Sequence, residues 1–143
     1  MAIYSVSQRT SSGTAATAAW EIISTSAQVR PAILEFGLSQ NAGTAGVYGI
    51  GRPQAKGVTP TTPVTSLAED YNEVTGNTTV AVAWGTGPTV PLQFFRRLSC
   101  PATVGAGVIW TFPRGLIIQS NFSIILWIIA TAPVCDVYCV TNE

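Results

Sequence analysis

Histidine is absent from the 143-residue sequence, and charged side chains make up only 10% of it, against about 25% in an ordinary soluble domain. The chain therefore lacks the commonest general base and the commonest metal ligand. A serine or cysteine nucleophile has no imidazole to activate it, and zinc has no fourth ligand beside the three cysteines. We predict no catalytic, cofactor-binding or metal-binding residues, and a protein that is not an enzyme. One route to catalysis stays open: it requires that the carboxylates of Glu21, Glu35 and Asp136 meet in a cleft, which the sequence does not show.

An excess of positive charge is also missing, since seven basic side chains balance seven acidic ones. General nucleic-acid binding needs a basic surface that displaces counterions, so we expect no direct nucleic-acid partner. The longest uninterrupted apolar run, residues 124–130, is far short of the ~20 residues of a membrane-spanning helix. Residues 1–10 have neither the basic nor the apolar region of a signal peptide. We therefore expect no membrane association.

Cysteine is scarce, and its number is odd. In a strand, Cys135 and Cys139 would lie about 13 Å apart, too far for a disulfide. A bond from Cys100 to either of them stays open. We expect three buried thiols that pack as small hydrophobic side chains.

Short apolar or alternating segments fill most of the chain, with turn residues about every eight to twelve positions. This spacing predicts an all-β sandwich or barrel of about eight to ten strands, with at most one short helix. The helix is predicted at residues 66–73, because Ser66 and Glu69 have the spacing of a capping box. Residues 17–143 form one β-domain with a long loop at 53–65, preceded by an N-terminal arm and linker at 1–16.

Residues 2–7 are apolar at Ile3, Tyr4 and Val6 and precede a flexible stretch. Extended arms of this kind add a strand to a neighbour's sheet, so we expect these three side chains to contact another chain. We also expect the 53–65 loop to lie against a neighbour.

Arg96 and Arg97 are adjacent in a predicted strand, so their side chains point to opposite faces. Two interpretations remain open. One guanidinium faces the core or an interface and meets Glu35, Glu21 or a partner subunit, or the strand lies at an edge and both are solvated. Both arginines are candidate contacts with another chain.

The strand at 124–130 has no polar face, so both of its sides must be covered. The simplest cover is another subunit. Together with the low charge, this favours an obligate homo-oligomer.

Three segments of the sequence are similar to a known protein family: residues 2–7 (AIYSVS), Trp20-Glu21-Ile22, and residues 30–39 (RPAILEFGLS). They resemble the first third of small structural proteins of tailed bacteriophages and prophages. The resemblance implies a jelly-roll-like antiparallel β-sandwich that decorates or cements a capsid, with a homotrimer as the expected form. The implied partners are other copies of the chain and the major capsid protein, and the implied location is the virion, assembled in the host cytoplasm.

The alternative function is a β-sandwich fibre or receptor-binding module that recognises host glycans through exposed Trp or Tyr. The position of the aromatic side chains separates the two hypotheses. A glycan site needs an exposed aromatic platform with polar neighbours, whereas a decoration protein buries its aromatics at subunit seams.

Overall fold

The structure, a computed structural model, describes residues 2–11 and 13–143. Within these residues it contains thirteen β-strands and no helix, in antiparallel sheets of five, six and two strands. Nine of the strands have four or more residues, and the other four are too short for a periodic pattern. The prediction of an all-β sandwich is confirmed. The strands are β1 (Ile3–Arg9), β2 (Thr17–Ser24), β3 (Ala32–Gln40), β4 (Gly46–Pro53), β5 (Val58–Pro60), β6 (Val64–Thr65), β7 (Leu67–Ala68), β8 (Thr78–Ala81), β9 (Trp84–Thr86), β10 (Pro91–Cys100), β11 (Gly107–Ile117), β12 (Ser123–Ala130) and β13 (Cys135–Asn142).

Eight long strands build the sandwich. β1, β13, β3 and β11 lie side by side in the five-stranded sheet, and β2, β12, β4 and β10 lie side by side in the six-stranded sheet. The first strand pairs with the last, and β2 pairs with β12. Consecutive long strands thus alternate between the sheets, except that β4 and β10 are neighbours in the six-stranded sheet. This is the strand order of a jelly roll. The short β7 extends the first sheet beside β1, and β8 and β6 extend the second beside β2.

Side chains from the inner faces of both sheets form one core. Trp20 of β2 is fully buried, and its ring meets that of Phe36 from β3 with the centroids 5.2 Å apart. Phe36 in turn stacks on Trp110 of β11 at 5.9 Å. All three cysteines are free and buried, and burial raises the pKa of each thiol. This confirms the prediction of buried thiols.

The outer face of the six-stranded sheet is covered by the chain itself. Ile125 and Trp127 of β12 alternate with core residues, yet they are only 0% and 9% exposed. The long excursion between β4 and β10 folds back over this face, with β5 paired to β9, and its Gly57 amide donates to Glu21 of β2. We call residues 54–60 and 84–90 the strap. β12 therefore needs no second subunit to cover it, which corrects the argument from its apolar sequence.

The predicted N-terminal arm is a strand of the sandwich. All seven residues of β1 pair with β13, and Tyr4 and Val6 are buried, at 3% and 6% exposure. Residues 1 and 12 of the predicted arm and linker lie outside the described residues. The expectation of an arm that adds to another chain's sheet is thus corrected, because the last strand of the same chain supplies the pairing.

The predicted helix at 66–73 is wrong. Ser66 is buried at the point where the chain crosses from β6 in one sheet to β7 in the other, and its hydroxyl donates to the Thr78 carbonyl. The Glu69 amide bonds to the carbonyl of Ile3, and Glu73 closes a turn on Asp70. A two-turn helix is marginal in isolation, and strand pairing with β1 and β8 satisfies these backbone groups instead.

Candidate functional site: a basic edge of the sandwich

Four of the six arginines lie along one lateral edge of the molecule, all of them exposed: Arg52 on β4, Arg96 and Arg97 on β10, and Arg114 on β11. β10 and β11 are the outermost strands of the two sheets on this side. Neither is paired on its outer side with another strand of the described chain. The strands β4, β10 and β11 carry no Asp or Glu. We call the four arginines and the two open strands the basic edge.

Phenylalanine rings beneath the guanidinium groups hold three of these arginines. The pairs are Arg52 with Phe95, Arg96 with Phe112 and Arg97 with Phe94, at 5.4, 5.6 and 5.8 Å from guanidinium carbon to ring centroid. A cation above an aromatic ring is attracted by the negative face of the ring. The ring orients the side chain while the charged end stays in water, where it is free to bind an anionic group.

Backbone carbonyls hold two of the same arginines more firmly. Arg52 Nη2 donates to the carbonyl of Ile117 at 3.1 Å, and Arg96 Nη1 donates to the carbonyl of Phe95 at 2.8 Å. Of the two interpretations left open for Arg96 and Arg97, the structure supports the edge strand with both side chains solvated. No ion pair joins either arginine to Glu35 or Glu21 among the described residues.

Two grooves flank the arginines. One, of about 350 Å³, runs between Arg96 and Arg114 over Phe112 and Leu116. The other, of about 650 Å³, lies beside Arg52 and is lined by Leu92. Exposed apolar side chains continue the surface, with Leu92 at 82%, Ile109 at 61% and Ile117 at 37% exposure. Guanidinium groups beside uncovered apolar side chains are typical of protein–protein interfaces.

The predicted contact residues fall in two separate places. Arg96 and Arg97 lie on the basic edge, whereas Ile3, Tyr4 and Val6 lie on β1, on the far side of the five-stranded sheet. Tyr4 and Val6 are buried within their own chain, and Ile3 is half-buried. The structure therefore leaves little of Tyr4 and Val6 for another chain to contact. Contacts through Arg96 and Arg97 stay a prediction.

Arg52 and Arg114 were missed by the sequence analysis. They are far from Arg96 along the chain, and the three strands come together only through the pairing of β4 with β10 and the stacking of β10 on β11. The available signal was weak: each arginine stands next to a proline, Arg52 before Pro53 and Arg114 after Pro113.

The three carboxylates considered for catalysis do not converge. Glu21 faces the strap on the outer side of the six-stranded sheet. Glu35 and Asp136 lie on the five-stranded sheet, where Glu35 accepts a 2.6 Å hydrogen bond from Tyr138 and Asp136 pairs with Arg9 at 2.7 Å. That pairing holds the pKa of Asp136 below its usual value.

Glu21 is the one fully buried carboxylate among the described residues. Its Oε1 accepts hydrogen bonds from the Gly57 amide at 3.0 Å and from the Ser123 hydroxyl at 2.5 Å. Burial raises the pKa of this carboxyl, whereas those two bonds and the nearby indole of Trp84 lower it. Glu21 Oε2 and Trp84 Nε1 have no hydrogen-bond partner of standard geometry in the described chain. Glu21 therefore tethers the strap to β2.

Comparisons of the chain with protein-family models, with curated proteins and with solved structures find no match. Among residues 2–11 and 13–143, no group of three or more Cys, Asp or Glu side chains is placed to hold a metal ion. The same residues contain no helix that is long and apolar enough to cross a membrane. Function must therefore be argued from the fold and the basic edge.

Proposed function

We propose that this chain is a virion structural protein, a capsid decoration protein that assembles as a homo-oligomer, a trimer, and stabilises the shell together with the major capsid protein. The observation that carries the proposal is the basic edge, an open margin of the sandwich with four exposed arginines, three of them oriented by phenylalanine rings, and with uncovered apolar side chains. The resemblance of the first 40 residues to phage structural proteins supports it. So does the jelly-roll strand order, which recurs in viral capsid and lectin domains, although fold alone does not imply function.

An open sheet edge presents unpaired backbone N–H and C=O groups, and soluble proteins usually protect such edges with charge, proline or a covering segment. Here the arginines on β10 keep the edge soluble before assembly. They are also the residue type that contributes most to interface affinity when an acidic partner covers them. A standard interface buries about 1,600 Å², so an edge contact of this kind needs the flanking apolar side chains as well.

The alternative, a glycan-binding module, has one observation in its favour. Tyr71 is 99% exposed on the turn after β7, and an exposed ring can stack on a sugar. The large rings of Trp20, Phe36 and Tyr48 are instead fully buried in the sandwich. This distribution offers a glycan one isolated ring rather than a platform.

The test is to purify particles from the native source on a density gradient and to probe each fraction with an antibody against the chain. We expect the chain to band with the major capsid protein at many copies per particle. Sedimentation velocity of the purified chain should show a discrete oligomer at micromolar concentration. A monomer that stays in the soluble fractions would overturn the proposal, and binding of that monomer to a glycan array would favour the alternative.

A further inference from the structure

An acidic counterpart to the basic edge lies on the opposite side of the molecule. Residues 57–95 contain no Lys or Arg, and three of the seven acidic side chains, Glu69, Asp70 and Glu73, stand on the turn that follows β7. We call residues 69–73 the acidic turn. Asp70 caps the amide of Asn72, and the Glu73 amide bonds back to the Asp70 carbonyl. The acidic turn is thus an ordered loop whose carboxylates are exposed.

The sheet order sets the distance between the two charged surfaces. β7 and β6 are the outermost strands on one side of the sandwich, and β11 and β10 are the outermost strands on the other. Strands in a sheet lie about 4.8 Å apart, so five or six of them separate the surfaces by about 20 Å. The net charge of the chain is zero. The fold therefore turns a neutral composition into a molecule with one positive and one negative flank.

Apolar side chains are exposed beside the acidic turn as well. Leu67, Tyr71 and Val74 are 73%, 99% and 72% exposed, and they match Leu92 and Ile109 beside the basic edge. Each flank thus offers charge of one sign with uncovered apolar surface next to it. Two such surfaces are complementary to each other, and neither is complementary to itself.

We propose that the basic edge of one copy binds the acidic turn of a second copy, head to tail. The inference rests on the proposed function, because it names the contact that builds the homo-oligomer. A two-fold contact through the basic edge alone would set arginines against arginines, and like charges across an interface cost several kcal/mol. In an open head-to-tail assembly, the basic edge of one terminal copy and the acidic turn of the other remain unoccupied. The assembly closes into a ring when the rotation per subunit allows and otherwise extends into a filament.

A nucleic acid or another polyanion is the less favoured occupant of the basic edge. Four arginines on a chain of zero net charge give little long-range attraction for a polyanion. The acidic flank would also repel it. A second copy uses both charged flanks and both exposed apolar patches at once.

The test changes the charge of each flank separately and then of both together. Arg97→Glu with Arg114→Glu cancels the net positive charge of the basic edge, because two arginines and two glutamates then remain on it. These two positions are chosen because the backbone hydrogen bonds of this edge are made by Arg52 and Arg96. Glu69→Lys with Glu73→Lys makes the acidic turn basic and leaves the Asp70 cap in place. A swap variant carries all four changes. Arg30→Glu, on the exposed loop between β2 and β3, is the control for added negative charge.

Sedimentation velocity and thermal melts are measured for every variant at low and high salt. We expect each double variant to weaken self-association at least roughly ten-fold, and the swap variant to recover part of that loss because its new glutamates face its new lysines. Arg30→Glu should stay close to wild type. High salt should weaken the wild-type oligomer, because exposed charge pairs are screened. The melts show whether a variant is folded.

Three results would contradict the inference, and they separate it from the proposed function. An oligomer that survives in both double variants overturns the head-to-tail contact but leaves the decoration protein standing. Loss of assembly that the swap variant does not restore also overturns it, since another surface or a polyanion must then occupy the basic edge. A wild-type chain that is monomeric overturns the proposed function and the inference together.

Discussion

The tether between Glu21 and the strap makes a quantitative prediction about stability. The carboxylate is fully buried and accepts hydrogen bonds from the Gly57 amide and the Ser123 hydroxyl. Replacing Glu21 by alanine removes the acceptor and leaves both donors facing an empty space. We expect the Glu21→Ala chain to fold with a loosened strap and a lower free energy of unfolding.

The expected loss follows from the two donors. A buried donor left without an acceptor costs about 1–3 kcal/mol. The Ser123 hydroxyl can rotate toward another acceptor more easily than the Gly57 amide can, so the sum is about 2–5 kcal/mol. For a chain of this length the loss corresponds to a fall in Tm on the order of 10 °C.

The pH dependence gives a second and independent signature. Burial raises the pKa of Glu21 above its ordinary value of 4.5, so the folded state holds the proton more tightly than the unfolded state does. The stability contributed by this group is therefore fully present below pH 4.5 and is lost as the pH rises through the raised pKa. Glu21→Gln keeps an oxygen acceptor for both donors but cannot ionise. The Tm of the Gln variant relative to wild type should increase as the pH rises from about 4 to about 8.

The assay is thermal unfolding followed by far-ultraviolet circular dichroism at several pH values. Taking the difference between variant and wild type removes the contribution of other titrating groups, such as the Arg9–Asp136 pair. Glu73→Gln, which removes an exposed carboxylate on the acidic turn, is the matched control for the loss of a carboxyl group. A Glu21→Ala chain with the Tm of wild type would refute the tether, and a pH-independent difference for Glu21→Gln would refute the raised pKa of Glu21.

Three further predictions concern the sandwich itself. Deletion of residues 2–9 removes β1 from between β13 and β7, and we expect no cooperative unfolding transition in the truncated chain; a truncated chain with the wild-type Tm would contradict that strand's role. Gly107→Ala places a Cβ against the Leu38 carbonyl and should lower the free energy of unfolding by about 1–3 kcal/mol in urea titrations. Its control is Gly43→Ala, whose Cβ makes only an ordinary contact with the Ala102 carbonyl oxygen at 3.6 Å and should leave the free energy of unfolding unchanged. The three buried thiols should react with a thiol reagent only after unfolding, and reductant should leave the Tm unchanged; fast labelling of the native chain would argue against their burial.

Two short segments of the sequence form strands in the structure: 17–25, which is rich in β-branched residues, is strand β2, and 32–39, where apolar residues alternate, is strand β3. Side-chain alternation and β-branched content act over a few residues, so they can be interpreted locally. Residues 66–73 show the limit of this approach, because the capping-box spacing at Ser66 is also local. Pairing with β1 and β8, which are distant in sequence, decided their conformation.

Only two of the four arginines on the basic edge were predicted from the sequence. The sequence shows Arg96 and Arg97 as an adjacent pair of candidate contact residues, and it shows that basic and acidic side chains are equal in number. The exposure of this pair to solvent and its proximity to Arg52 and Arg114 depend on which strands become neighbours at the edge of the sandwich. Neither periodicity nor composition contains that information, since every strand that could pair has a similar local pattern.

By itself, the sequence determined the all-β class, the buried thiols and the neutral net charge. Only the tertiary structure decided that β1 belongs to the sandwich, that the strap covers β12, and that the arginines and the acidic turn lie on opposite flanks. The physical reason is the range of the interactions. Strand propensity is set by neighbouring residues, whereas sheet order and burial are set by contacts between segments that are tens of residues apart, because only the folded chain brings them together.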